Sequence, residues 1–79
     1  MVVELRSKTD RLQDLQDKMN EYIGNGARLG FLIDPIFRAV FIYKPNLEVV
    51  CVRDCFQISD DLLLPGFILD LTAIWTVLH

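Results

Sequence analysis

MVVELRSKTDRLQDLQDKMNEYIGNGARLGFLID, residues 1–34, changes its apolar spacing twice, and each change marks a new secondary-structure element. Met1–Leu5 is β-branched and apolar except for Glu4, the composition of a short strand. Ser7 then offers a helix cap, and Asp10 three positions on completes an approximate capping box; Thr9 is the alternative cap. Leu12, Leu15, Met19, Tyr22 and Ile23 recur at three- and four-residue steps. At about 100° per residue these fall in one arc, so one main helix is expected over about residues 9–24. Gly24-Asn25-Gly26 stops it with residues that tolerate left-handed backbone. Arg28–Asp34 returns to strand and ends at Pro35. A strand, a helix and a second strand favour parallel pairing of the two strands across the helix.

Downstream the pattern stays β. Arg38–Tyr43 is a strand, and the short Asp34–Phe37 link makes it the antiparallel hairpin partner of Arg28–Asp34. Lys44-Pro45-Asn46 is a turn, and Glu48–Val52 is a third strand in this run. Ser59-Asp60-Asp61 reads as a loop and Leu63-Leu64-Pro65-Gly66-Phe67 as an extended segment marked by Pro and Gly. Asp70–Trp75 reads as a closing helical turn with Asp70 or Thr72 at its start. The expected class is α+β: a mixed sheet, β-α-β followed by antiparallel strands, with one main helix.

At 79 residues the chain is one small domain at most, and 52% of it is apolar. A domain of this size buries only about 60% of its unfolded surface. The apolar content therefore exceeds what one compact unit easily covers, which implies a partner chain or a larger domain. Eight basic residues against 11 acidic ones give a net charge of −3, which argues against tight non-specific DNA binding while leaving room for a local basic site. Cys51 and Cys55 lack the His and Cys partners of a metal site and read as reduced thiols, with Cys51 in the core. With no secretory signal the expected location is cytoplasmic. No apolar run approaches the roughly 20 residues of a membrane span; the longest, around Phe67–Leu69, is broken by Asp70.

Glu4 is the residue out of place. A carboxylate inside an apolar strand points into a core or a cleft, and a buried charge needs a cation, a metal or a proton. Arg6 lies two residues on, on the same strand face. On the helix, Arg11 and Lys18 fall at one edge of the apolar arc, beside Tyr22, so their stems can lie along the core while their charges reach a strand end. A carboxylate with a lysine in reach is the kind of site that binds Mg²⁺ and stabilises a phosphoryl transition state. Two structural roles stand beside that one: Glu4 facing solvent on an edge strand, or Glu4 paired with Arg6 or Lys18 as a structural bridge.

Val2-Val3-Glu4-Leu5-Arg6-Ser7, Asp10, Leu15, Lys18-Met19, Glu21-Tyr22, Asn25-Gly26, Gly30-Phe31-Leu32-Ile33-Asp34-Pro35 and Leu64-Pro65-Gly66-Phe67 together resemble the Uma-type restriction endonucleases of the PD-(D/E)XK nuclease superfamily. The resemblance runs from Val2 to Trp75. It implies a restriction-endonuclease-like fold, a mixed sheet flanked by helices, and Mg²⁺-dependent hydrolysis of DNA phosphodiesters. Residue by residue it makes Glu4 the metal-binding glutamate and Lys18 the helix lysine that stands in for the superfamily's strand lysine. Arg6 holds the lysine position of the (D/E)-x-K pattern, where it can stabilise phosphoryl charge but cannot act as a base. Tyr22 matches a helix aromatic that packs.

The departures carry as much weight. The superfamily's first acidic residue belongs on a strand upstream of Glu4, and this chain begins three residues before Glu4. The chain thus reads as a single partial domain over residues 1–79, the C-terminal portion of the fold, with an incomplete metal site. Asp10, Asp14 and Asp34 are candidate substitutes for the missing acid. Ile36 and Phe37 at the hairpin tip, and the open edge of strand Val2–Leu5, are candidate association surfaces. Two functions compete: a Mg²⁺-dependent DNA endonuclease or its inactive remnant, and a non-catalytic oligomerising module of the same ancestry. A homodimer or higher oligomer through the strand edge is expected, with weak DNA binding and no membrane contact.

Overall fold

The computed structural model describes residues 1–59, 66 and 68–77. β1 (Val2–Leu5) leads into α1 (Leu12–Gly24), which returns the chain to β2 (Gly30–Asp34) alongside β1. β3 (Ala39–Tyr43) and β4 (Val50–Arg53) follow, giving one sheet of order β1-β2-β3-β4. β1 runs parallel to β2, and the β2–β3 and β3–β4 pairs are antiparallel. The mixed α+β sheet expected from the spacing is the one formed. β5 (Gln57–Ser59) pairs antiparallel with β6 (Ile68–Asp70), and α2 (Thr72–Val77) closes the described chain.

All five residues of β2 are buried, because both faces of the sheet are covered at that strand. Alternation sends Leu32 to one face, where it packs with Tyr43 and with Leu15 and Met19 of α1. Phe31 and Ile33 point to the other face, into a cluster with Val40, Ile58, Leu71 and Trp75. Trp75 is fully buried, and its indole N–H donates to the Cys55 carbonyl at 2.6 Å. That bond satisfies the one polar atom the ring carries into the core. At Gly30, an added Cβ would stand 2.6 Å from Met19 Cε. Absence of a side chain there lets α1 settle directly on the sheet.

Several expectations need correction. α1 starts at Leu12 rather than near residue 9, and its N-cap residue is Arg11, with no side-chain cap. Asp10 Oδ2 accepts from both the N–H and the Oγ of Ser7 at 2.9 Å, so residues 7–10 close their own turn and use up the intended cap. The C-terminal stop is as expected: Gly26 adopts φ +107°, and the Ala27 N–H returns to the Tyr22 carbonyl at 3.0 Å. Cys51 is exposed rather than in the core, because α1 packs over β2 and β3 and β4 is an edge strand. Both cysteines are free thiols, as expected. Ser59 belongs to β5 and not to a loop, while Asp60, Asp61 and most of Leu63–Phe67 lie outside the described residues. The closing helix begins where expected, with Asp70 Oδ1 accepting from the Thr72 N–H at 3.0 Å.

Candidate functional site

β1 is an edge strand, and its side chains alternate between half-buried Val2 and Glu4 and exposed Val3 and Leu5. Glu4 sits in register with Leu32, so it shares the face on which α1 packs. On α1, Lys18 and Tyr22 stand four residues apart and therefore one above the other. Both reach the same carboxylate oxygen. Lys18 Nζ lies 3.0 Å from Glu4 Oε1, and the Tyr22 hydroxyl donates to that oxygen, also at 3.0 Å. The Lys18 ammonium also lies 5.8 Å from the centre of the Tyr22 ring, inside the range of a cation–π contact.

This geometry sets what Lys18 can do. Its bond to the Glu4 carboxylate, and then its contact with Tyr22, raise its pKa above the ordinary 10.5. Lys18 is therefore a fixed positive charge at neutral pH and not a proton acceptor. Its side chain keeps 47% of its surface exposed, so the charge is accessible from solvent.

The structure separates Arg6 from this pair. Arg6 Nη1 binds Asp34 Oδ2 at 2.8 Å, its Nε donates to the Asp10 carbonyl at 3.2 Å, and its guanidinium lies 5.6 Å from the centre of the Phe37 ring. Asp34 is fully buried; its other oxygen, Oδ1, accepts from the N–H groups of Ile36 and Phe37 at 2.9 and 3.4 Å. Asp34 and Arg6 thus brace the hairpin turn. Asp10 is engaged by Ser7, and Asp14 stands exposed in the first turn of α1. Arg11 is exposed at the N-cap, and the contacts of Glu4 go to Lys18 and Tyr22 instead. Tyr22 does more than pack, and its four-residue spacing from Lys18 was the signal available in the sequence.

Among the described residues no three His, Cys, Asp or Glu side chains stand close enough together to hold a metal ion. Mg²⁺ usually takes one or two carboxylates together with waters and substrate phosphate. Here a single carboxylate is present, with one oxygen already held by a cation. The residues brought together fit one ligand position for Mg²⁺ and do not by themselves make its site. An apolar cleft of about 540 Å³, lined in part by Phe31, Ile42, Val50 and Ile58, opens on the sheet face opposite α1. Glu4 does not line it.

The family model of Uma2, described as "Putative restriction endonuclease", matches residues 1–72. The chain belongs to the Uma2 family. Among solved structures, this Uma2 chain is similar to a protein from Anabaena variabilis ATCC 29413 described as "a putative nuclease belonging to DUF820". The TM-score is 0.77 at 19% identity, over 98% of this chain and 44% of that one. At that identity the likeness establishes the nuclease-like fold. The Uma2 chain spans less than half the length of that protein. No curated protein sequence matches it.

Proposed function

We propose that this Uma2 chain contributes one side of a DNA-hydrolysing site and is inactive, or nearly so, on its own. Glu4 is the acidic member of the site, and Lys18 is the fixed cation that faces a DNA phosphate. The observation that carries this reading is the convergence of Lys18 and Tyr22 on Glu4 Oε1, at an exposed strand edge. Arg6 enters as a brace of the hairpin rather than as a group that meets substrate, since its charge is spent on Asp34. Mg²⁺ dependence belongs to a site completed by a further carboxylate. A DNA-directed role and two free thiols fit a cytoplasmic setting; no helix among the described residues is long and apolar enough to cross a membrane.

Titrating Mn²⁺ or Mg²⁺ into wild type and Glu4→Ala tests the assignment. A weak heat lost in Glu4→Ala is expected, and equal heats in the two would remove Glu4 as a metal-facing group. Plasmid DNA should stay intact with the wild-type chain. Nicking that disappears in Glu4→Ala would overturn the proposed inactivity.

A second reading, a non-catalytic oligomerising module, is favoured by a different observation. Val3 and Leu5 are 45% and 44% exposed on an edge strand. Sedimentation decides it: a well-folded monomer at micromolar concentration would count against association.

A further inference from the structure

We propose that the tip of the β2–β3 hairpin, with the segment that follows β4, binds single-stranded DNA. Bases stack on Phe37 and Phe56, and Arg53 holds a phosphate. These are not the residues assigned to hydrolysis, and the two readings share only the choice of DNA as partner.

β1, β2 and β4 finish, and β3 begins, at one end of the sheet. Three arginines gather there in a chain whose net charge is −3: Arg6, Arg38 and Arg53. Two of them are matched. Arg6 is bound to buried Asp34, and Arg38 Nε lies 3.3 Å from Asp54 Oδ1. Asp10, whose carbonyl also holds Arg6, keeps its carboxylate on Ser7. Arg53 is exposed and forms no ion pair with a carboxylate among the described residues. Its Nη2 donates to the Phe37 carbonyl at 3.2 Å, which fixes the guanidinium beside the tip and leaves other donors of the fork for an anion.

The apolar half of the surface is aromatic. Phe37 and Phe56 are 53% and 52% exposed, and each ring has a guanidinium against it. Arg6 lies 5.6 Å from the centre of Phe37; Arg38 lies 5.9 Å from that of Phe56 and 5.9 Å from that of buried Trp75. Rings already held in this way lose little freedom when a ligand covers them. The backbone is held as well. Arg38 and Asp54 adopt φ +52° and +55°, a region that side chains other than glycine rarely enter, and the Asp54 N–H donates to the Arg38 carbonyl at 2.9 Å. That strained pair locks Phe37-Arg38 against Asp54-Cys55-Phe56. Half-exposed rings beside an unmatched cation suit a strand whose bases are unpaired, because every base has a face to stack and every nucleotide a phosphate. A second copy of this chain suits the surface less well. Twofold pairing sets a patch against itself, and Arg53 would then face Arg53.

The test is fluorescence anisotropy of a labelled oligothymidylate with the full chain, at low salt and in EDTA, so that neither a divalent cation nor hydrolysis enters. An abasic strand of the same length carries the same phosphates without bases. Wild type should bind the oligothymidylate, and should bind the abasic strand about 5- to 150-fold more weakly, the worth of one stacked base. Phe37→Leu and Phe56→Leu should each weaken the oligothymidylate within that range and leave the abasic strand unchanged. Arg53→Gln should weaken both strands and reduce the slope of log affinity against log salt by about 0.7. Fluorescence of Trp75, fully buried, reports whether each variant is folded. Equal affinity of wild type for the two strands would overturn the proposal without any variant, as would failure to bind either. Sedimentation of wild type shifted toward monomer in Phe37→Leu, with no oligothymidylate bound, would give the tip to a second copy instead. Loss of the Glu4 assignment through metal heats or plasmid nicking would leave this binding standing, and its failure would leave Glu4 untouched.

Discussion

Asp34 is the buried charged residue of the described core, and all of its contacts serve the β2–β3 hairpin. Removing one partner of a buried ion pair leaves the other charge uncompensated, at a cost of about 3–5 kcal/mol. Asp34→Ala would strand Arg6, whose side chain is only 13% exposed, and would also free two turn N–H groups. Urea unfolding should show a loss in that range, whereas Asp34→Asn, which keeps an acceptor for the turn, should lose less. Glu4 and Lys18 behave differently because both face solvent in part. Lys18 has a folded pKa above its ordinary 10.5, so the contribution of the pair is fully present below that value. It is lost as the pH rises through the folded pKa. Stability referable to the Lys18 charge should therefore be flat through neutral pH and decline in the alkaline range. Glu4→Gln should remove that alkaline slope, measured as unfolding midpoint against pH in the two proteins.

Among the elements, α1 is fixed most tightly by what β2 omits. Gly30 lies in β2 with Met19 Cε occupying the space a side chain would need, and Met19 is itself fully buried. Overpacking a closed core costs about 1–3 kcal/mol, so Gly30→Ala should lower the denaturant midpoint by a comparable amount. Because the clash is with Met19, combining Gly30→Ala with Met19→Ala should give a loss smaller than the two single losses added. The same contact shows what the sequence carried and what it hid. Leu12, Leu15 and Met19 advertise the helix face by period, and the short Asp34–Phe37 link between two apolar runs advertises the hairpin. β5 and β6 have only three residues each, too few to display a period. The start of α1 was misread because Asp10 serves Ser7 rather than the helix, a competition between two local bonds that spacing does not resolve. At the site, spacing brought Lys18 and Glu4 into proximity, but the partners of Arg6 and Tyr22 depend on tertiary distances. Asp34 drew off the arginine, and the carboxylate drew in the phenol.

At the scale of the whole molecule the chain is a slab of 31 × 29 × 16 Å, thin enough that much of its 52% apolar content remains at the surface. The edge at β1 combines that surface with unused backbone. Val2 N–H bonds the Leu29 carbonyl and Arg6 N–H bonds the Ile33 carbonyl, both toward β2. By the alternation of a strand, the N–H and C=O groups of Val3 and Leu5 turn away from the sheet. Their side chains are the exposed ones of β1. An edge with free amide groups and apolar side chains is a template for another strand, and a lysine on the edge is the device by which natural sheets refuse one. The reading of β1 as an association edge therefore predicts concentration-dependent sedimentation of the wild-type chain, shifted toward monomer in Leu5→Lys. Leu5 is half in solvent and lies on the face opposite Glu4, so the substitution should leave the unfolding midpoint of the monomer and the Lys18 titration near their wild-type values. Equal sedimentation of the two proteins would remove β1 as the contact. A shift to monomer accompanied by loss of folded structure would instead trace it to unfolding, and Val3→Lys on the same face would then have to reproduce the effect in a folded chain.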